Sequence, residues 1–270
     1  MHVGIVAQRG NDRAASLAAD IGSALDAAVS YDTETATALD TDGLAPTEMT
    51  DCDLVVSIGG DGTFLYTARS VGTTPIMGVN LGEVGFLNAT PPEDAVDAVV
   101  GTVDALRDDE ATYREMTQVQ AAAEGVDLPP ALNEVAVVGR QRGHGNGLDI
   151  EVRIDGNLYS GTHADGVIVA TPTGSSAYNL SEDGPLLHPN ADGFVVTEMC
   201  ADGSMPSLVV DTAETITVRV SGTETAYAIA DGRTRATVDP PTTLTLERAA
   251  EQVRIAGPEL DFFAALGKLE

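Results

Sequence analysis

Residues 53–71 read DLVVSIGGDGTFLYTARSV and carry the clearest structural signal in the chain. Asp53 to Ile58 is a mostly apolar run of strand length, and Thr63 to Val71 can form a helix. The glycines between them permit a tight turn, because glycine adopts positive φ and lets other atoms approach the backbone closely. A strand, a glycine-rich turn and a helix in this order predict an α/β domain.

The glycine-rich turn is also a candidate phosphate site. Gly59-Gly60-Asp61-Gly62-Thr63 lies where a helix would begin, and backbone N–H groups and the helix dipole favour an anion there. Asp61 would repel that anion, so we expect it to act as a general base or through Mg²⁺. The structural alternative is a plain turn between a strand and a helix, for which Gly-Asp-Gly is suitable.

Two common nucleotide-binding motifs are absent from the sequence. No Gly-x-x-x-x-Gly-Lys-Ser/Thr occurs, and the single lysine, Lys268, is near the end of the chain, which excludes a P-loop NTPase. No Gly-x-Gly-x-x-Gly follows the first predicted strand, so the standard dinucleotide fingerprint is also missing.

The strand and helix pattern continues on both sides of this turn. His2–Ala7 is predicted as a buried strand that is followed by an amphipathic helix. Thr90 and Glu93 have the spacing of a capping box before a helix that extends to Leu106. We therefore predict an open-sheet α/β domain over residues 1–105.

Further along the chain the hydrophobic period changes from that of a helix to that of a strand. Apolar residues alternate from Leu148 to Ile154, and Asp155-Gly156 follows as a hairpin turn. This pattern predicts a β-rich second domain over residues 106–250. The apolar tail over residues 251–270 is expected to pack back on the first domain.

A hydroxyl-rich segment follows a predicted strand of the second domain. Asp165 precedes the strand, and residues 171–181 after it read TPTGSSAYNLS. Hydroxyl groups, a tyrosine and backbone N–H groups in one turn suit a phosphate, a ribose and a stacked base. The structural alternative is a loop in which Ser175 or Ser176 caps a helix.

Three segments in the same order resemble the NAD kinase family: Gly59–Leu65, Asn133-Glu134 and Asp165–Ser181. A fourth, Gly78–Leu87, is similar to the strand and loop after the family's glycine motif. The glycine motif is shared with lipid kinases, and Asn133-Glu134 alone fits a surface turn equally well. The hydroxyl-rich segment is therefore the one that distinguishes the NAD kinase family from these alternatives. The resemblance implies the NAD kinase fold, a Rossmann-like open-sheet domain and a β-sandwich-like C-terminal domain with the active site in the crevice between them.

The resemblance further implies phosphorylation of NAD⁺ at the 2′-hydroxyl of the adenosine ribose, with ATP or polyphosphate as donor. Mg²⁺ or another divalent metal would be bound to the substrate rather than to side chains. Asp61 would accept the hydroxyl proton, and Gly60, Gly62 and Thr63 would bind the donor phosphates. The implied NAD-binding residues are Asp61, Gly62, Asn133, Glu134, His163, Asp165, Thr173, Ser176, Ala177, Tyr178, Ser181 and Asp231. A homodimer or homotetramer is also implied, with a neighbouring chain contributing to the NAD site.

The sequence departs from the family pattern where basic residues are common. Tyr66, Glu83 and His163 replace them, which removes positive charge that could attract phosphate. The residues alone therefore leave two alternatives open. One is a catalytically inactive sensor that binds NAD or NADP, and the other is a lipid or sugar kinase that shares only the glycine motif.

Charge is the unusual feature of the composition. The chain has 42 Asp and Glu residues against 14 Lys and Arg, a formal net charge of −28. The acidic residues are spread along a chain that is 43% apolar, which excludes a disordered acidic tail. No basic stripe is present for a duplex, so we expect no nucleic acid partner. A dispersed acidic surface of this kind predicts a halophilic protein.

Cysteine usage and hydropathy favour the cytoplasm. Cys52 and Cys200 are far apart and lack Cys-x-x-Cys spacing, so they predict neither a disulfide framework nor a zinc site. Met1–Gly10 has no signal-peptide pattern, and we find no run of about 18 apolar residues. We therefore expect no membrane association.

The halophile prediction can be tested by thermal unfolding as a function of KCl concentration. The unfolding midpoint should rise between dilute buffer and about 2 M KCl, because a Debye length near 3 Å screens repulsion between the surface acids. A midpoint that does not rise over this range would contradict the prediction.

Overall fold

A computed structural model describes residues 1–82, 86–141, 143, 146–203 and 205–267. The chain separates into two compact units. The first contains Met1–Met116 and Gln252–Glu270, and the second contains Thr117–Glu251. Within the described ranges no helix has the length and apolar character needed to cross a membrane.

Strands and helices alternate at the start of the chain, and strands dominate afterwards. Through residue 116 the elements are β1 (His2–Ala7), α1 (Asp12–Ala24), β2 (Ala28–Asp32), α2 (Thr33–Ala38), β3 (Gly43–Leu44), a 3-10 turn (Pro46–Glu48), β4 (Leu54–Ile58), α3 (Asp61–Val71), β5 (Ile76–Val79), α4 (Ala95–Arg107) and β6 (Arg114–Met116). The remaining elements are β7 (Val119–Ala122), β8 (Glu134–Gly139), β9 (Leu148–Ile154), β10 (Asn157–Ala164), β11 (Gly166–Ala170), a 3-10 turn (Gly174–Ser176), α5 (Tyr178–Ser181), β12 (Phe194–Met199), β13 (Leu208–Val210), β14 (Ile216–Ser221), β15 (Ala226–Ala230), β16 (Thr234–Val238), β17 (Thr242–Arg248), β18 (Val253–Ile255) and α6 (Phe262–Leu266).

The first unit is built on a seven-stranded sheet in the order β3-β2-β1-β4-β5-β18-β6. Neighbouring strands from β3 to β18 are parallel, and β6 runs antiparallel to β18. Apolar side chains of β1, β4 and β5 pack with those of α1 and α4 in one buried cluster. This open parallel sheet with helices confirms the Rossmann-like domain predicted from the sequence.

The glycine stretch adopts the predicted strand, turn and helix. β4 ends at Ile58, and α3 begins at Asp61, earlier than the predicted Thr63. α3 buries Phe64 and Ala68, one helical turn apart, and this apolar face anchors the helix on the sheet.

The predicted capping box at Thr90 and Glu93 is wrong. α4 begins at Ala95 behind Asp94, whose side chain makes no capping hydrogen bond. Thr90 instead forms a parallel β-bridge with Val79. Pairing with the end of β5 therefore overrides the local capping signal.

The first unit extends beyond residue 105, where the sequence pattern places its end. The cause is β6, in which Met116 pairs with Val253 and Arg114 with Ile255. Ile255 also aligns with Ile76 of β5. Residues near the end of the chain thus complete the sheet with which the chain begins.

The second unit is a sandwich of two antiparallel sheets. A five-stranded sheet has the order β10-β9-β14-β17-β7, and a six-stranded sheet has the order β13-β12-β11-β8-β15-β16. Apolar residues from both sheets form one buried cluster between them. The β-sandwich prediction is confirmed, as is the hairpin at Asp155 and Gly156, whose φ angles are 48° and 80°.

The six-stranded sheet is covered on its other face as well. Every residue of β8 and of β11 is buried. A second cluster on these strands includes Ala136, Ile168 and Leu187, and Tyr178 packs against it. The segment that follows β11 therefore folds back over this face and carries its polar groups there.

The packing of the sandwich yields a stability prediction. Phe194 is fully buried between the sheets, so Phe194→Ala should lower the free energy of unfolding of the second unit by about 3 to 5 kcal/mol. The control is Leu158→Ala, because Leu158 is 59% exposed; it should change that free energy by less than about 0.5 kcal/mol. Urea unfolding followed by circular dichroism measures both, and equal effects of the two substitutions would contradict the prediction.

Candidate active site

The glycine turn is shaped by close contacts that exclude a side chain. A Cβ atom at Gly59 would lie 2.6 Å from Oγ1 of Thr63. The Gly59 backbone N–H donates to the carbonyl of Val79 at 2.9 Å, which ties the turn to β5. Glycine at this position therefore lets α3 start directly at the carboxyl end of β4.

The start of α3 is open to an anion. Gly60 is the N-cap residue and has no side chain to accept from the first turn of this 11-residue helix. Gly60 and Gly62 are exposed, and Thr63 is half-buried. Backbone N–H groups and the positive end of the helix dipole are thus presented without a competing cap, as the phosphate-site hypothesis requires.

Asp61 is held at this helix start by three hydrogen-bond donors from a single segment. The backbone N–H of Phe86 donates to Oδ2 at 3.2 Å, and that of Leu87 donates to Oδ1 at 3.3 Å. Nδ2 of Asn88 donates to Oδ1 at 3.4 Å. The carboxylate is half-buried and oriented, so it can meet a substrate hydroxyl in a fixed direction. Sequence reasoning identified Asp61 but not these donors, although the similarity of Gly78–Leu87 to the family pointed to their segment.

In the second unit, Asp231 fixes the backbone before Glu134. Its carboxylate accepts hydrogen bonds from the N–H groups of Leu132 at 3.3 Å and Asn133 at 2.7 Å. Its own N–H donates to the carbonyl of Glu134 at 3.0 Å. Asp231 is 6% exposed, so the structure gives this predicted NAD-binding residue a role in shaping the site.

Glu134 is the most perturbed acid of the site. It is 4% exposed, and its Oε2 atom is buried without a hydrogen-bond partner. Burial and the negative charge of Asp231 raise the pKa of Glu134 to about 7, although a hydrogen bond from the backbone N–H of Tyr178 lowers it. Glu134 can therefore be neutral or charged near physiological pH.

The hydroxyl-rich segment is bonded directly to the Asn133-Glu134 turn. The N–H of Thr171 donates to the carbonyl of Asn133 at 2.8 Å, and Oγ1 of Thr171 donates to the carbonyl of Leu132 at 2.6 Å. A Cβ atom at Gly174 would lie 1.9 Å from the carbonyl oxygen of Asn133, so only glycine allows this approach. Sequence reasoning missed Thr171, a buried threonine whose hydroxyl links the two motifs.

The two serines do not cap a helix, as the structural alternative required. Ser175 is buried; its Oγ donates to the carbonyl of Pro172 at 2.6 Å and accepts from the N–H of Leu187 at 2.9 Å. Oγ of Ser176 donates to the carbonyl of Thr173 at 3.2 Å. The N-cap residue of α5 is Ala177, which has no capping side chain.

Among the predicted NAD-binding residues, those after β11 lie with Glu134. Thr173 is buried, Ser176, Ala177 and Tyr178 are half-buried, and Ser181 is exposed at the end of α5. Since Glu134 pairs with Ala170 at the end of β11, this segment begins beside it.

Asp165 and His163 lie at the opposite end of β11. Val138 pairs there with Gly166, four residues or about 13 Å from Ala170 along the strand. The Asp165 carboxylate accepts from the N–H of Gly143 at 2.8 and 3.1 Å. Within one chain the structure therefore does not bring these predicted residues to Glu134.

His163 stands at a position where the family often has arginine, and both of its ring nitrogens have a polar partner. Its Nδ1 lies 2.9 Å from Oδ1 of Asp149, and its Nε2 lies 2.9 Å from the carbonyl oxygen of Asn146. The hydrogen bond to Asp149 and that to Asn146 raise the pKa of His163, because the protonated ring donates to both acceptors.

Of the other departures from the family pattern, Tyr66 is 48% exposed, one helical turn after Gly62 on α3. Glu83 lies outside the described residues, as does Lys268.

Family models match both parts of the chain. The model described as the ATP-NAD kinase N-terminal domain matches residues 24–104. The model described as the ATP-NAD kinase C-terminal domain matches residues 132–257. The fold and the site therefore define a two-domain kinase that acts on a nucleotide.

Relatives of known name match the whole chain. An NAD kinase of Natronomonas pharaonis is 57% identical over 270 residues, and one of Halobacterium salinarum is 55% identical over 282 residues; each comparison covers 100% of both chains. The crystal structure of an NAD kinase from Archaeoglobus fulgidus in complex with ATP has a TM-score of 0.81 at 25% identity, covering 100% of this chain and 98% of that chain. A yeast NADH kinase complexed with NADH shares the fold, with a TM-score of 0.84 at 20% identity over 100% and 87% of the two chains. The chain belongs to the NAD kinase family, and it phosphorylates NAD.

The raised pKa of Glu134 gives a prediction about stability and pH. Because the native pKa is above the value of 4.5 for a free side chain, the proton on Glu134 favours folding at low pH, and this contribution is lost as the pH rises through about 7. Glu134→Gln removes the buried charge, so its stability relative to wild type should increase from about pH 5 to about pH 8 by up to about 3 kcal/mol. Urea unfolding at constant KCl measures the difference. The same difference at both pH values would contradict the prediction.

Proposed function

We propose that Asp61 is the general base of the NAD kinase reaction and that the acceptor is the 2′-hydroxyl of the adenosine ribose of NAD⁺. The supporting observation is the Asp61 carboxylate, fixed by three donors at the uncapped start of α3. The base and the phosphate-binding N–H groups thus belong to one rigid turn. Phosphoryl transfer depends mainly on such positioning and on charge stabilisation.

In the proposed step, an oxygen of Asp61 accepts the proton of the 2′-hydroxyl while the ribose oxygen attacks the terminal phosphorus of the donor. The bond from that phosphorus to the leaving diphosphate breaks, and NADP⁺ and ADP are formed when ATP is the donor. Backbone N–H groups of Gly60 and Gly62 and the hydroxyl of Thr63 stabilise the phosphate charge, since the N–H of Thr63 donates to the carbonyl of Gly60 at 2.9 Å. No lysine is needed for this chemistry.

We propose that the polar turn of the second unit binds NAD. Asn133, Glu134 and the hydroxyl-rich segment from Thr173 to Ser181 provide amide, carboxyl and hydroxyl groups around one bonded framework. Tyr178 offers a ring for stacking and is held against the sheet by its apolar contacts. The neutral form of Glu134 can donate a hydrogen bond, whereas the charged form can only accept one.

We infer that Mg²⁺ or a similar ion enters with the donor. No group of three or more His, Cys, Asp or Glu side chains in the described part of the chain could hold a metal ion. The residues at the glycine turn suit an ion carried by donor phosphates, because Mg²⁺ commonly keeps water and phosphate ligands. When bound, such an ion would neutralise charge on the transferred group.

We also infer a homodimer or homotetramer. The separation of Asp165 and His163 from Glu134 along β11 supports it, since a second copy could bring these residues to the NAD site.

The complex of the Archaeoglobus fulgidus relative with ATP supports ATP as donor, with polyphosphate as the alternative. Predominantly exposed acids support the halophilic character, because Asp32, Glu134 and Asp231 are the buried carboxylates among the described residues. The cytoplasmic location remains a prediction from the sequence.

The role of Asp61 can be tested by Asp61→Asn. Asparagine keeps one oxygen for the donors at residues 86–88 but cannot accept the proton, so kcat should fall by about 10² to 10⁴-fold while NAD binding persists. The control is Asp20→Asn, because Asp20 is an exposed residue of α1; it should leave kcat unchanged. NADP⁺ formation is assayed in multimolar KCl with NAD⁺, Mg²⁺ and either ATP or polyphosphate, and NAD binding is measured by calorimetry.

Full activity of Asp61→Asn would contradict the assignment of the base. Measurable NAD binding by the wild-type protein without NADP⁺ formation would instead indicate the inactive sensor, an alternative that the relatives do not support.

A further inference from the structure

The segment that holds Asp61 is anchored at its base beside β5. Asn88 is fully buried against Gly78, where a Cβ atom would lie 2.4 Å from Oδ1 of Asn88. The N–H of Asn80 donates to the carbonyl of Thr90 at 2.8 Å and closes the loop between them. This anchoring fixes Asn88, but it does not by itself fix Phe86, which precedes Asn88 by two residues.

Phe86 is supported by the last helix of the chain. The Phe86 and Phe262 ring centroids are 6.0 Å apart, with the ring planes at 55°. Phe262 is the first residue of α6 and is 9% exposed. Oδ1 of Asp261 accepts from the N–H of Ala264 at 2.9 Å and caps this helix.

The tail is itself fixed to the sheet before it reaches α6. The N–H of Ala256 donates to the carbonyl of Ile76 at 2.8 Å. A Cβ atom at Gly257 would lie 3.1 Å from Cγ of Met77, so the chain passes close to β5. The strand β5 therefore positions Phe262, through the tail, and also anchors the loop that contains Phe86.

We propose that Phe262 is a positioning residue for the base: by packing on Phe86, it holds the N–H groups of Phe86 and Leu87 against the carboxylate of Asp61. This inference rests on the proposed role of Asp61. The two backbone hydrogen bonds are 3.2 and 3.3 Å long, at or beyond the upper end of the usual range, so a small displacement of Phe86 would break them. A base displaced by about 1 Å can lose about 10²-fold in rate, although substrate binding is unchanged.

The adjacent residue provides a matched control. Phe263 is 73% exposed and meets Phe262 edge-on, with centroids 5.6 Å apart. Phe262→Ala removes the ring that packs on Phe86, whereas Phe263→Ala removes a ring of the same size from the same helix. Phe262→Leu keeps an apolar side chain at the buried position and serves if the alanine variant does not fold.

The test combines kinetics with amide hydrogen exchange of the full-length protein. For Phe262→Ala we expect kcat to fall about 10- to 100-fold, with KM for NAD changed by less than about twofold. Exchange of the peptide that contains Phe86 and Leu87 should accelerate by about tenfold or more, while peptides of β4 exchange as in wild type. Phe262→Leu should show the same changes in smaller measure, and Phe263→Ala should show none.

Unchanged kcat, a change confined to KM, or faster exchange throughout the first unit would overturn the inference. Asp61→Asn is assayed alongside to separate the two proposals. If Asp61→Asn is inactive and Phe262→Ala is fully active, Phe262 has no positioning role but Asp61 remains the base. If Asp61→Asn is active, the assignment of the base fails, and so does a positioning role that depends on it.

Discussion

Hydrogen bonds from residues 86–88 to the carboxylate of Asp61 are the interaction on which the candidate site at the glycine turn depends. A carboxylate at a helix start is locally favourable because the dipole stabilises it, but it opposes the binding of a phosphate. Hydrogen bonds from a neighbouring loop resolve this conflict by fixing the direction of the charge. The loop can do so because β5 places its base beside the glycine turn, and Gly59 and Gly78 leave room for both.

The local elements were predictable because their signals lie within a few residues. The strand β1, the hairpin at Asp155-Gly156 and the glycine turn follow from hydrophobic period and turn chemistry, and the structure contains all three. The capping box predicted at Thr90 does not form, because the backbone of Thr90 makes a β-bridge with Val79 instead. Local patterns do not report such competition from distant strands.

The hydrogen bonds around the candidate site residues could not be predicted from the sequence. The resemblance indicated Asp231, but its hydrogen bonds to Leu132 and Asn133 join residues far apart in sequence, and no periodicity encodes them. Thr171 was missed for the same reason, since a buried hydroxyl linking two motifs looks like any strand-end threonine. The separation of Asp165 from Glu134 becomes visible only when the antiparallel register of β8 and β11 is known.

The scarcity of basic residues is consistent with an anion site built from backbone groups. With 14 Lys and Arg against 42 Asp and Glu, attraction of phosphate by distant side-chain charge is weak, and at multimolar salt a Debye length of about 3 Å or less screens it further. Hydrogen bonds from backbone N–H groups act at contact distance, where screening by ions has little effect. In the proposed phosphate site, a glycine turn at a helix start would therefore keep its affinity at multimolar salt, and Tyr66 could replace a basic residue without removing the main source of that affinity.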